Sequence, residues 1–233
     1  MSEEYTLRPI AHIRNDFGSK FGIPRQSGRV MEVESRIIFD SDYRTADAVR
    51  GLEEYDYIWL IWQFSQAVRE GWSATVRPPR LGGNVRKGVF ATRSPFRPNA
   101  LGLSCVRLKK IEMDEKLGPV LYVAGADLMN RTPIYDIKPY LPDTECHPDA
   151  AAGFAARVRD HKLQVVFPEK WLNQIAPEKR KAVLGILEED PRPGYQDDPR
   201  RVYGIEYGGY DIHFQVSGEI LTVCDVSLLD RDY

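Results

Sequence analysis

The run Tyr55-Asp-Tyr-Ile-Trp-Leu-Ile-Trp-Gln-Phe64 is apolar and aromatic, of the kind that forms a buried strand. It is far shorter than the about 18 apolar residues a membrane helix needs. Working outward, the neighbouring segments read the same way. Upstream, Tyr5–Ile13 reads as an opening strand and Arg29–Phe39 alternates, while Ala46–Leu52 resembles a short helix. Downstream, the β candidates are Gly88–Thr92, Gly102–Leu108, Pro119–Ala126 and Pro133–Lys138. Short strands separated by Gly/Pro turns predict a mainly β, antiparallel barrel or sandwich rather than βαβ units.

A Pro- and acid-rich connector, Pro139–Asp149, leads to a second region. Pro177–Glu189 opens with proline and repeats apolar residues at Val183, Leu184, Ile186 and Leu187, which predicts a helix. Val202–Val226 reads as two or three strands punctuated by Gly208-Gly209 and Gly218. The expectation is a first domain over 1–145 and a small α+β domain over 150–233.

Charge is distributed unevenly. The 233 residues carry 32 Lys+Arg against 34 Asp+Glu, a net charge of −2. Yet Gly71–Ile111 holds nine bases and no acid, while residues 187–233 hold eleven acids and four arginines. Prolines and glycines in the basic block fix loop shape, and arginines on fixed loops present planar forks to phosphate or carboxylate. The alternative is a solvated basic face paired with acids elsewhere. Arg77, Arg80, Arg86, Lys87 and Arg97 are the candidate phosphate contacts. Three cysteines without a C-x-x-C pair point to free thiols in a reducing compartment, and four scattered histidines offer no metal-ligand spacing. The N-terminus has neither the basic nor the apolar part of a signal peptide. A cytoplasmic protein without membrane segment or metal is expected.

Several chemistries are disfavoured. No G-x-G-x-x-G follows a strand, Gly83–Gly88 has Walker-like glycines but is followed by Val89-Phe90, and no G-x-S-x-G occurs.

Four elements in order carry a resemblance: Pro24-Arg25-Gln26, then V-R-P-P-R-L-G-G-N (76–84), then G-V-F-A-T-R-S-P-F-R-P-N-A-L-G-L-S (88–104), then D-I-K-P-Y-L-P (136–142). Together they resemble the TsaA-like (TrmO) family of tRNA adenosine-37 N6-methyltransferases. The resemblance implies a single-sheet β-barrel, S-adenosyl-L-methionine as methyl donor, threonylcarbamoyl-adenosine 37 in the tRNA anticodon loop as acceptor, and a homodimer. Matched by motif, the cofactor contacts would be Pro24, Arg25, Gln26, Ser65, Gln66, Arg93, Leu103, Asp127, Leu128, Met129 and Asn130. Asp136 and Tyr140 are candidates for a base or relay, and Lys138 for steadying an anion; Asp136 and Lys138, two apart on a strand, could equally form a salt bridge. Ser65 stands where the family often has His, and Asn130-Arg131 where it often has Asp-Gly. The first departure leaves open a non-catalytic ligand- or RNA-binding protein on the same barrel; the acceptor side leaves open a different nucleophile. Trp59, Trp62 and Phe64 read as barrel core before base-stacking platform.

Overall fold

The computed structural model describes residues 4–66, 71–78, 85–154, 162–192 and 198–229. Six antiparallel strands close a barrel: β1 (Ala11–Arg14), β2 (Glu34–Phe39), β3 (Tyr57–Gln63), β6 (Leu101–Asp114), β7 (Gly118–Ala124) and β8 (Pro133–Pro139), in the order β1-β2-β7-β6-β3-β8. Between β3 and β6 lies a two-residue ribbon, β4 (Thr75–Val76) with β5 (Lys87–Gly88). The barrel is sealed by β1 against β8, with Ala11 opposite Ile134.

The alternation of β3 explains the barrel. Ile58, Leu60 and Trp62 point inward and are buried; Tyr57, Trp59 and Ile61 face outward. The partner strand β6 answers with Gly102, Ser104 and Val106 inside, in register with Trp62, Leu60 and Ile58, and continues with the buried Leu108. Period-two patterning thus places one residue set in the core and the other on the outer face.

The second region is a four-stranded sheet, β10 (Tyr203–Tyr207), β11 (Tyr210–Ser217), β12 (Ile220–Leu228) and the parallel β9 (Gln164–Val166). Short helices α1 (Pro142–Glu145) and α2 (Glu169–Leu172) precede α3 (Pro177–Glu188), which buries Ala182, Val183, Ile186 and Leu187. Phe17, Val30 and Val33, far upstream in sequence, belong to this second core and not to the barrel. Phe17 meets the ring of Tyr207 edge-on at 5.1 Å.

Three expectations need correction. The opening strand is regular only from Ala11; residues 4–8 are exposed, and Pro9 has no N–H for a ladder. Gly88–Thr92 is not a strand, because after Gly88 the chain turns into a 3-10 segment, Val89–Ala91, closed by the Thr92 N–H on the Val89 carbonyl at 3.1 Å. Ala46–Leu52 forms two 3-10 turns rather than a helix, Ala46–Val49 and Leu52–Glu54.

Candidate functional site

At one rim of the barrel four segments converge: the turn 24–28, the end of β3 through Gln66, the loop 92–100, and the exit of β7. Gly125 makes the convergence possible. It adopts φ +77°, and a Cβ there would lie 2.9 Å from Met31 Sδ. Its carbonyl accepts from Gly28 N–H at 2.8 Å, which ties the turn to the barrel. The R-S-P-F-R-P-N loop is held by its own atoms. Arg97 Nη1 donates to the Thr92 carbonyl at 3.1 Å, and Arg97 N–H to the Pro95 carbonyl at 2.9 Å. Arg97 therefore braces the loop through this bond.

These segments enclose a cleft of about 1010 Å³. A hydrogen-bonded chain runs out of the core into it. Trp62 Nε1 donates to Ser104 Oγ at 2.9 Å, and Ser104 Oγ donates to Asp127 Oδ1 at 2.5 Å. Burial pushes the Asp127 carboxyl above the usual aspartate range, opposed by the Ser104 bond, by its own and the Ser27 backbone N–H groups and by the charge of Arg93. Arg93 Nη1 in turn donates to Gln26 Oε1 at 2.6 Å. Leu103, 49 % exposed, offers an aliphatic face.

Of the expected cofactor contacts, Pro24, Arg25, Gln26, Ser65 and Gln66 line this cleft, as do Arg93, Leu103, Asp127 and Met129. Two do not. Leu128 is fully buried in the barrel core, because the residue after Asp127 turns inward. Asn130 accepts from the Asn15 N–H at 3.3 Å and is not among the lining residues. Arg25 lines the cleft, yet its Nη2 donates to the carbonyls of Asp190 and Arg192, at 3.4 and 3.0 Å. Its guanidinium fastens the turn to the C-terminal region, so Arg93 is the better placed of the two to meet an anion.

The loop 92–100 is also one wall of a larger groove, about 2330 Å³, that adjoins the cleft. Arg77, Arg86, Lys87 and Arg97 line it; Arg80 lies outside the described residues. Seven of the lining residues are Arg or Lys, and two, Glu4 and Glu189, are acidic. Glu189 is already paired with Arg29 at 2.8 Å. The groove is therefore electropositive. Sequence reasoning missed two of its residues. Trp72 and Phe90 stack at 6.0 Å between ring centroids, 27° from parallel, and are 53 % and 73 % exposed. Trp72 lies outside every strand pattern, and Phe90 is hidden inside Gly88–Thr92, which reads as a strand but turns into a 3-10 segment. Trp62, by contrast, is core, with Phe64 packed against its ring at 4.3 Å.

Asp136, Lys138 and Tyr140 line neither cavity. Lys138 Nζ and Asp136 Oδ2 form a salt bridge at 2.9 Å, and Tyr140 packs on the rings of Tyr57 and Trp59. The sheet register explains why. Asp136 pairs with Ile61, which pairs with Leu103, so the motif shares the outer face with Leu103 but stands two strands from it, roughly 10 Å. One copy of the chain does not bring these residues to the cleft.

A closed barrel whose rim pairs a small-molecule cleft with a basic groove defines a protein built to bring a compact ligand to a polyanion. The chain belongs to the tRNA-methyltransferase O family: residues 12–146 match its N-terminal domain and 160–229 its C-terminal domain. A tRNA (adenine(37)-N6)-methyltransferase of Escherichia coli is 37 % identical over 91 % of this chain and 94 % of that protein. A Pseudomonas aeruginosa relative named for S-adenosylmethionine-dependent methyl transfer is 35 % identical over 96 % of this chain and 98 % of its own. The crystal structure of TrmO from Pseudomonas aeruginosa superposes with a TM-score of 0.78 at 30 % identity, over 97 % of this chain and 100 % of that one.

Proposed function

We propose that this protein transfers the methyl group of S-adenosyl-L-methionine to N6 of adenosine 37 in the anticodon loop of tRNA, acting on the threonylcarbamoylated base. The observation that carries the reading is Asp127, a desolvated carboxyl within the field of Arg93, lining the same cleft as the half-exposed Leu103, beside the basic groove. That donor set fits the cofactor: a carboxylate for its ammonium, a guanidinium for its carboxylate, an aliphatic face for its adenine. The volume is ample for a ligand of this size.

S-Adenosylmethionine supplies a methyl group activated on a positively charged sulfur. The protein's part is largely positional. Asp127 holds the ammonium and is oriented by Ser104. Arg93 exchanges its bond to Gln26 for the ligand carboxylate. Leu103 and Met129 cover the adenine, while Pro24, Ser65 and Gln66 close the ends. Arg77, Arg86 and Lys87 hold the phosphates of the anticodon loop.

The acylated N6 must also lose its proton. We assign that to the D-I-K-P-Y motif of a second copy in a homodimer. The exposed outer face of β8-β3-β6, with Tyr57 38 % and Leu103 49 % exposed beside Trp59, is the surface that a second copy would cover. There Asp136 would accept the proton and Lys138 would steady the carbamoyl oxygen. Sedimentation of the purified protein should give a dimer; a monomer in the presence of cofactor and tRNA would remove this assignment. The three free cysteines, Cys105, Cys146 and Cys224, accord with the cytoplasmic location we propose.

Calorimetric titration with S-adenosylmethionine tests the whole reading. Saturable binding is expected, lost in Arg93→Ala without loss of fold. Affinity retained in that variant removes the carboxylate clamp. No binding at millimolar concentration, with or without tRNA, removes the proposed function.

A further inference from the structure

We infer that Trp72 and Phe90 form a stacking site for an unpaired base of the RNA loop, next to the methyl-acceptor position; the inference rests on the methyl-transfer reading and names the part of the substrate that this surface grips.

The two rings belong to neither hydrophobic core. They nonetheless hold a defined posture, 27° from parallel at 6.0 Å, with 53 % and 73 % of their surface in solvent. Leaving two large aromatic rings in water forgoes burial that a core would reward, so their placement calls for a ligand with an aromatic face. The scaffold beneath them is built to present them. Val89, 1 % exposed, anchors the 3-10 turn; its N–H donates to the Ala74 carbonyl at 3.0 Å, and its own carbonyl accepts from Thr92 Oγ1 at 2.8 Å. With Val89 driven inward, Phe90 projects outward. The β4-β5 ribbon, pairing Thr75 with Gly88, brings Trp72 alongside despite seventeen intervening positions.

The surroundings identify the ligand. Both rings line the electropositive groove, together with Arg77, Arg86 and Lys87. Arg86 is steadied by Thr75 Oγ1 at 3.0 Å, on the same ribbon. Aromatic faces interleaved with cations on a groove are the pattern that single-stranded nucleic acid requires, bases on rings and phosphates on bases of opposite charge. An apolar protein segment would not call for seven cations. Phe90 and Phe96 line the groove and the cleft alike. A base stacked on Trp72–Phe90 therefore lies beside the entrance to the cleft, where a neighbour of the target adenosine must be when that adenosine is turned inward. Unstacking a base from the loop costs a few kilocalories per mole, and a ring pair that receives it offsets this cost at the point of reaction.

The test uses the full chain, saturating S-adenosylmethionine and a threonylcarbamoylated anticodon stem-loop with 2-aminopurine beside the target adenosine. Wild type should quench the probe on binding. Trp72→Ala should lose most of the quench and weaken RNA binding about 5- to 150-fold, the range found for loss of one base stack. Trp72→Phe should restore most of it. Because Trp72 does not line the cofactor cleft, titration with S-adenosylmethionine should be unchanged. The salt dependence of RNA binding should also keep its slope, since no phosphate contact is lost. Unaltered quench and affinity in Trp72→Ala would overturn the stacking site, as would a change only in oligomeric state, which would mark the rings as a protein contact. Failure of the wild type to bind cofactor or RNA would instead overturn the proposed function, and this site with it.

Discussion

Gly102 lies directly beneath the indole of Trp62: a Cβ added at Gly102 would come within 2.2 Å of Trp62 Cε2. No side chain fits there, so the glycine of the A-L-G-L-S motif is what allows the indole to lie flat against β6. That posture aims Nε1 at Ser104 Oγ and, through it, orders Asp127. Gly102→Ala should tilt the ring, break the chain, and cost about 1–3 kcal/mol of stability by overpacking. Affinity for S-adenosylmethionine should fall at least about tenfold, which corresponds to losing one ordered charge-assisted bond. Tryptophan near-ultraviolet dichroism and calorimetric titration would check both. An unmoved signal with native affinity would show that the ring position is irrelevant to the cleft.

How much of this was readable from residues alone depended on the range of the interaction. The inward row Ile58, Leu60, Trp62 follows from period two along one strand, and the loop 92–100 from a motif that braces itself with its own hydrogen bonds. Closure of β1 on β8 pairs residues more than 120 positions apart, which no local pattern encodes. Val30 and Val33 fall in the alternating stretch Arg29–Phe39 and Phe17 in the expected first domain, yet all three pack with the C-terminal sheet. Asp127-Leu128-Met129-Asn130 was expected to act as a block, yet adjacent side chains diverge: Asp127 and Met129 reach the cleft and Leu128 enters the core. Asp136 and Lys138 obeyed the two-residue rule, forming the salt bridge that their spacing allowed.

Asp127 predicts a trade between stability and binding. Burial raises its folded pKa above the unfolded value of about 3.9. The native carboxyl thus keeps its proton to higher pH than the unfolded one. Stability is greatest below the unfolded value and declines as pH rises from there through the folded value. Asp127→Asn removes that decline. The apo variant should be more stable than wild type at neutral pH and indistinguishable or weaker near pH 2.5, well below the unfolded value of about 3.9, where the wild-type group is neutral in both states. Affinity for the cofactor should move the other way, falling about tenfold or more, because the ammonium loses its counter-charge. Denaturant melts at the two pH values with paired titrations decide it; an Asn variant less stable at neutral pH would mean that the hydrogen bonds to the carboxylate outweigh its desolvation.

The junction between the barrel and the C-terminal region should be as consequential as either core. Glu189 is 6 % exposed and held by Arg29 Nε at 2.8 Å, three residues before Arg192, whose carbonyl receives Arg25, with an intervening turn at Asp190 in the left-handed region, φ 51°. Arg29→Ala leaves a carboxylate buried without its partner, a loss of about 3 kcal/mol. For a chain of this size that lowers Tm by roughly 6–12 °C. Close approach on the other side reinforces the point: a Cβ at Gly185 in α3 would lie 2.7 Å from Val30 Cγ1. Gly185→Ala should therefore destabilise despite alanine's better helix propensity. Differential scanning calorimetry on both variants is the measurement; a rise in Tm for Gly185→Ala would show that α3 moves away without cost.

The basic groove makes a prediction in salt. Each phosphate neutralised on single-stranded RNA contributes about 0.7 to the slope of log affinity against log salt. Arg77, just after β4, and Lys87, which opens β5, both line the groove, and the sequence holds no acid between Gly71 and Ile111. Reversing both to Glu should weaken tRNA binding by well over tenfold at low salt and reduce the slope by about 1.4, two phosphate contacts at the figure above. The acidic stretch 187–233 argues that this loss cannot be replaced from the C-terminal sheet, since eleven acids against four arginines repel the same backbone. Filter binding across a salt series reads slope and intercept together. A parallel shift with unchanged slope would mean that the two side chains act at long range without touching phosphate, and an unchanged affinity would clear the groove of any part in holding the RNA.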